Sequence, residues 1–134
     1  MEHDVSLWLQ FAKTDLGVSN HLDQEYFPKP LEIICYHCQQ AAEKAVKALI
    51  VLFDVPDGIP KKHNLPFLLA QLKNYVNVPQ RCIEGAEVLT SYGVAIRYPN
   101  ELDVEEYHVQ EALIFASEIV KWTEKVINSY ETKD

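Results

Sequence analysis

The sequence predicts an all-α fold, an up-and-down bundle of about five helices forming a single domain over residues 1–134. Three observations carry this. Apolar residues recur at spacings of three and four through long stretches. Glycine is scarce and the prolines are grouped, which leaves those stretches unbroken. No alternating apolar–polar pattern reaches the length of a convincing strand.

The first helix is expected from Asp4 to about Leu22, where Val5, Trp8, Ala12, Leu16 and Ser19 share one face and Asp15 sits at its edge. Phe27-Pro28-Lys29-Pro30 is a loop, since two prolines so close cannot continue a helix. The second helix runs from Leu31 to Phe53 on a stripe of Ile34, Cys38, Ala41, Ala45, Ala48, Leu49 and Leu52, rich in the best helix former. Pro56, Gly58 and Pro60 mark a loop from Asp54 to Lys62. A third helix is expected from Asn64 to Tyr75, with His63 or Asn64 near its start. A fourth follows Asn77-Val78-Pro79, from Gln80 to Arg97, and is stopped by Pro99. The last runs from about Val104 to Tyr130. Asp103, Glu105 and Glu106 favour the positive end of its dipole, and Val109, Ala112, Ala116, Ile119, Val120, Val126 and Ile127 form its apolar face.

Composition narrows the function. The chain is 48% hydrophobic and 24% charged, which excludes a disordered polymer. Its 12 basic and 20 acidic residues give a net charge of −8, which argues against a general nucleic-acid coat but leaves room for one local basic pocket. The longest apolar run, Ala48 to Phe53, is too short for a membrane span. The first fifteen residues lack the basic-then-apolar pattern of a signal peptide. With three cysteines, an odd number, this points to a cytoplasmic protein.

Four features offer chemistry. Cys35-Tyr36-His37-Cys38 has the spacing of half a zinc site or a redox pair, but no second ligand pair follows and no strand precedes it. Packing on a buried face explains it better, so neither metal nor disulfide is expected. Gln40, Glu43, Lys44 and Lys47 lie at i, i+3, i+4 and i+7 and so share one helix face, with His37 one turn before Gln40. They are either a solvated ion-paired surface or an anion pocket whose lysines are held by Glu43, with Asp15 of the first helix as a second partner. Arg97-Tyr98-Pro99 offers a bidentate phosphate ligand and a stacking ring, or simply a basic helix end before a proline stop. Lys61-Lys62-His63 is a local basic spot, or His63 is a helix-start cap. No phosphate-binding glycine loop, nucleophile elbow or zinc-protease motif occurs.

Together these segments resemble the HEPN domain, the helical family named for higher eukaryotes and prokaryotes nucleotide-binding. The likeness spans nearly the whole chain. It begins with Trp8, Ala12, Asp15 and Leu16. It is most specific from Tyr36 through Gln39-Gln40-Ala41-Ala42-Glu43-Lys44-Ala45-Val46-Lys47 to Leu49. It continues in Lys62-His63-Asn64-Leu65, where the family often has Asp in place of Asn64, and closes with Tyr92 and Arg97-Tyr98-Pro99. The resemblance implies a bundle that often forms a homodimer and is often encoded beside a small nucleotidyltransferase, in a toxin–antitoxin-like pair. Some members are metal-independent endoribonucleases carrying an Arg, four to six residues, then a His. After Arg97 those places hold Leu102, Asp103 and Val104, so the motif is absent as usually written; His108 lies beyond them.

The leading expectation is therefore a module that is not catalytic alone and needs no cofactor. It binds a nucleotide or phosphate-bearing ligand, partners a nucleotidyltransferase, or does both. Gln40, Glu43, Lys44, Lys47, Arg97 and Tyr98 would line the site, supported by Asp15, His37 and His63. One alternative is an endoribonuclease using Arg97 with His108 or His63, since histidine can move protons near neutrality. Another is a purely structural dimerising bundle whose polar face only holds its own shape.

Overall fold

The structure is a computed structural model that describes residues 3–93 and 103–131. Among these residues five α-helices follow one another: α1 His3–Glu25, α2 Leu31–Leu52, α3 Leu65–Ala70, α4 Gln80–Leu89 and α5 Glu106–Glu131, with a 3₁₀ turn at Thr90–Tyr92. The described residues contain no strand. The helical bundle expected from the sequence is what forms.

The apolar pattern explains why α2 is central. It buries Ile34, Cys35, Cys38, Ala41, Ala42, Ala45, Val46, Ala48, Leu49 and Ile50, more than one stripe. Such a helix needs neighbours on several sides, and α1, α3, α4 and α5 all pack against it. The many alanines permit close approach of helix axes. α1 contributes Val5, Leu9, Ala12 and the buried Ser19, whose hydroxyl donates to the Ile34 carbonyl at 3.3 Å. α5 closes the other side with Val109, Ala112, Ala116, Ile119 and Ile127.

The helix ends follow local chemistry. Pro30 and Pro79 precede α2 and α4, with their carbonyls accepting the first intrahelical bonds from Ile34 and Ile83. At the end of α2, Asp54 takes φ 50° in the left-handed region, the Val55 amide bonds back to the Ile50 carbonyl and the Asp54 amide to that of Val51. This is the Schellman arrangement, with an aspartate where glycine is usual, and the buried Val55 supplies its apolar contact. α3 is capped by Asn64, whose Oδ1 accepts from the Phe67 amide at 2.9 Å. The start residue is thus Asn64 and not His63. Replacing Asn64 with alanine should cost about 1 kcal/mol in denaturant unfolding, the usual effect of losing such a cap.

Two helices are shorter than expected. α3 stops at Ala70 because Gln71, Leu72 and Lys73 turn to carbonyls three residues back, a tighter winding that carries Leu72 into the core. α4 stops at Leu89, and Thr90–Tyr92 continues as the 3₁₀ turn. There the Thr90 hydroxyl accepts from the Leu65 amide at 3.0 Å and the Tyr92 ring is buried, so tertiary contacts set the winding. α5 begins at Glu106, two residues later than expected. Within the expected fourth helix, residues 94–97 lie outside the described residues.

Candidate functional site

The polar side of α2 carries two buried carboxylates, each answered by more than one donor. Asp15 projects from α1 and is 8% exposed. Its Oδ2 accepts from Lys44 Nζ at 2.5 Å, and its Oδ1 lies 3.0 Å from His37 Nδ1. His37 and Lys44 are two turns apart on α2 and so share a face, which lets them clamp one side chain of the neighbouring helix.

Glu43 is 3% exposed. Its Oε1 accepts from Gln39 Nε2 at 3.0 Å. Its Oε2 accepts from Lys47 Nζ at 2.8 Å and lies 3.2 Å from His63 Nδ1. Gln39, Glu43 and Lys47 are one turn apart in sequence, so helix geometry lines them up. Gln39 is fully buried and accepts from Gln40 Nε2 at 2.7 Å. Burial pushes the Glu43 carboxyl up, but hydrogen bonds from Lys47 and Gln39, the Lys47 charge and His63 outweigh it and hold it below its ordinary value. The carboxylate form is thus the one the fold is built for.

The lysines therefore do not share one partner. Lys47 is held by Glu43, while Lys44 is held by Asp15 across the helix–helix seam. Lys47 also lies 5.3 Å above the centroid of the Trp8 ring, which meets Phe11 edge-on. Gln39, Trp8 and Phe11 are the additions that sequence reasoning missed. Gln39 carried a signal, standing four residues before Glu43; Phe11 carried none beyond lying three residues after Trp8.

The formal charges of Lys44 and Lys47 balance those of Asp15 and Glu43, and any protonation of His37 or His63 adds positive charge. In a chain of net charge −8 this is a locally neutral-to-positive spot. His63 is largely exposed, while Lys44 and His37 retain partial access to solvent. Lys47 is nearly enclosed.

Arg97 and Tyr98 lie outside the described residues. The chain nevertheless passes close by: a Cβ added at Gly93 would stand 3.2 Å from Cδ and Nε2 of Gln39. The Gly93 backbone thus packs directly on the Glu43 network.

The remaining motifs have structural duties. Cys35 and Cys38 are free and buried, as is Cys82. Burial, with smaller contributions from Cys38 and Glu32, pushes the Cys35 thiol up to about 12, and burial pushes that of Cys38 up to about 11, so both stay protonated and unreactive near neutrality. His108 Nδ1 accepts from the Glu105 amide at 2.9 Å and so helps cap α5. Lys62 Nζ lies 4.7 Å over the Phe67 ring. Among the described residues no group of three or more metal-ligating side chains gathers as a metal site, and no helix is long and apolar enough to cross a membrane.

Comparison with known proteins agrees with this architecture. Residues 5–126 match the family model described as HEPN domain. No curated protein matches the chain. Among solved structures, the chain is similar to TT1696 from Thermus thermophilus, at 27% identity and TM-score 0.77, covering 92% of this chain and 98% of that one. It is similar to ST0689, an archaeal HEPN homologue, at 25% identity and TM-score 0.73, covering 95% and 99%. A HEPN domain protein from Thermotoga maritima, TM0613, shares the fold at 21% identity and TM-score 0.68, covering 95% and 98%.

Proposed function

The chain belongs to the HEPN domain family, and from that premise we propose that it is a non-catalytic helical module that holds a nucleotide or another phosphate-bearing ligand on the polar side of α2. The observation that carries the reading is the set of donors arranged around the buried Glu43. Gln39, Lys47 and His63 are positioned there before any ligand arrives, and Lys44 and His37 are positioned by Asp15 one or two turns away. Preformed donors bind an anion without the ordering cost of free side chains. Gln40 flanks the same side through Gln39, and Arg97 with Tyr98 would complete the site from the segment that follows Gly93.

In the same reading the module works in the cytoplasm as a homodimer and presents a helical surface to a small nucleotidyltransferase. The family likeness supports this, while the absence of a histidine at 102, 103 or 104, where Leu102, Asp103 and Val104 stand, supports the non-catalytic part of the reading. His108 is occupied at the start of α5.

Titration with nucleoside triphosphate tests the site. Saturable binding by wild type is expected, with Lys44→Ala, Lys47→Ala and Arg97→Ala each weaker by about 1.5–3 kcal/mol, roughly 10- to 150-fold, because each removes a charge-assisted contact. Added salt should weaken wild type most. The mutual pairing of Lys44 with Asp15 and Lys47 with Glu43 favours a second reading, in which the polar face is architecture alone. Absence of binding at millimolar nucleotide, together with lost stability in Lys44→Ala, would establish that second reading.

A further inference from the structure

A second concave site lies at the end of the bundle, where the C-terminus of α2, the turn after α3 and the last turns of α5 meet. Its cavity volume is about 410 Å³, and Phe53, Tyr75, Trp122, Lys125, Val126 and Tyr130 line it. None of these residues belongs to the polar network on α2. The volume falls within the range of small-molecule sites, which combine apolar and aromatic walls with a few polar groups.

The rings form a corner. Phe53 stacks on Tyr75 with centroids 5.9 Å apart and planes at 24°, and meets Tyr130 edge-on at 5.5 Å and 88°. The two tyrosine rings therefore stand steeply to one another. Both remain open, Tyr75 at 41% and Tyr130 at 47% exposure, and Trp122 is half-buried beside them. Each presents a hydrogen-bonding tip as well as a face.

Charge selects among aromatic ligands. Among the described residues the lining includes one cation, Lys125, and no carboxylate, although acidic residues outnumber basic ones 20 to 12 in the chain. Lys125 is exposed and makes no hydrogen bond or ion pair with a described residue. Lys13, Lys29, Lys44 and Lys47 are answered by carboxylates, whereas Lys125, like Lys73 and Lys121, has none among the described residues. An aromatic cage for a cationic ligand would not place an unpaired ammonium on its wall.

We propose that this corner is a binding site for a small planar aromatic molecule bearing one anionic group, with its ring against Tyr75 and Tyr130 and its charge at Lys125. The proposal goes beyond the reading of the α2 face and does not depend on it.

Calorimetric titration of the full chain with indole-3-acetate, phenyl phosphate, indole-3-acetamide and tryptamine tests it. At least one of the two anions should bind saturably, and comparing them tells a carboxylate from a phosphate ligand. The neutral amide should bind about 3- to 10-fold more weakly than indole-3-acetate, and the cation weakest of all. Lys125→Ala should bring indole-3-acetate down to the affinity of the amide. Tyr130→Ala should weaken the anions and the amide by about tenfold through lost stacking. Tyr75→Leu provides a second wall variant, and circular dichroism confirms that each variant is folded. No saturable binding at millimolar concentration, equal binding of the anionic, neutral and cationic indoles, tightest binding of tryptamine, or unchanged affinity in folded Lys125→Ala and Tyr130→Ala would overturn the proposal.

Discussion

Replacing Glu43 with alanine is expected to lower the free energy of unfolding by about 3 kcal/mol, read from urea or thermal denaturation. The carboxylate is 3% exposed and is the common acceptor for Gln39, Lys47 and His63. Removing it leaves the Gln39 amide inside the bundle without its acceptor, and leaves the Lys47 ammonium, itself mostly enclosed, without a counter-charge. Breaking a buried pair from one side costs more than the pair contributes, because the surviving charge keeps its desolvation penalty. Glu43→Gln preserves shape and one acceptor oxygen, so it should lose less, about 1–2 kcal/mol. The pH dependence has a definite sign. The folded-state carboxyl titrates below its ordinary value, so its stabilising contribution is present above the unfolded value of about 4.3 and disappears as pH falls through the folded one. The stability gap between wild type and Glu43→Gln should therefore narrow on acidification below about pH 4. A gap that stays constant or widens there would show that the ionised carboxylate is not the stabilising form.

The part of this network that could be read from the sequence is the part that runs along one helix. Spacings of three and four place Gln40, Glu43, Lys44 and Lys47 on a shared side, and the structure brings Lys47 to Glu43. What the spacing could not assign is which carboxylate answers Lys44, because that depends on the rotation of α1 against α2. The choice of Asp15 follows from packing Val5, Leu9, Ala12 and Ser19 inward, which carries Asp15 to the seam. Gln39 escaped for a related reason. A polar residue beside an alanine-rich stripe looks solvated, and only the enclosure of α2 by its neighbours buries it completely. The helices themselves were legible wherever one face governs them, as in α1, α2 and α5. The ends of α3 and α4 were not, since the Thr90 hydroxyl that receives the Leu65 amide and the burial of Leu72 and Tyr92 are contacts between elements far apart in the chain. Arg97 and Tyr98, which the sequence assigns to the site, lie outside the described residues.

Gly85→Val is expected to destabilise the fold by about 2–3 kcal/mol and to weaken the nucleotide binding proposed for the α2 face, although the atoms nearest a Cβ there all belong to Phe115 of α5. A Cβ at position 85 would stand 2.8 Å from Cδ1 of Phe115 and 3.1 Å from its Cβ and Cγ. The near atoms include the root of the side chain, so turning the ring alone does not make room. The ring is also confined from another direction, because the Arg81 guanidinium lies 4.6 Å over it and is fixed by paired bonds to Glu118 at 3.0 and 2.9 Å. The helices must then separate, and overpacking of this kind costs about 1–3 kcal/mol before the crowding of a branched residue is added. Gly85→Ala should lose less, since the gain in helix propensity of up to about 1 kcal/mol offsets part of the clash. Phe115→Ala should cost about 3–5 kcal/mol alone, and the Gly85→Val, Phe115→Ala double variant should cost less than the two together, because the valine fills space that the missing ring vacates. The effect on binding follows from the path of the chain. α4 leads through Thr90–Tyr92 to Gly93, whose backbone rests on Gln39, and Gln39 donates to Glu43. Pushing α4 away from α5 therefore disturbs the donors around Glu43 and the origin of the segment bearing Arg97. Additive costs in the double variant would show that the Gly85–Phe115 contact does not set the spacing of α4 and α5. Nucleotide affinity unchanged in folded Gly85→Val would separate the α2 face from the position of α4.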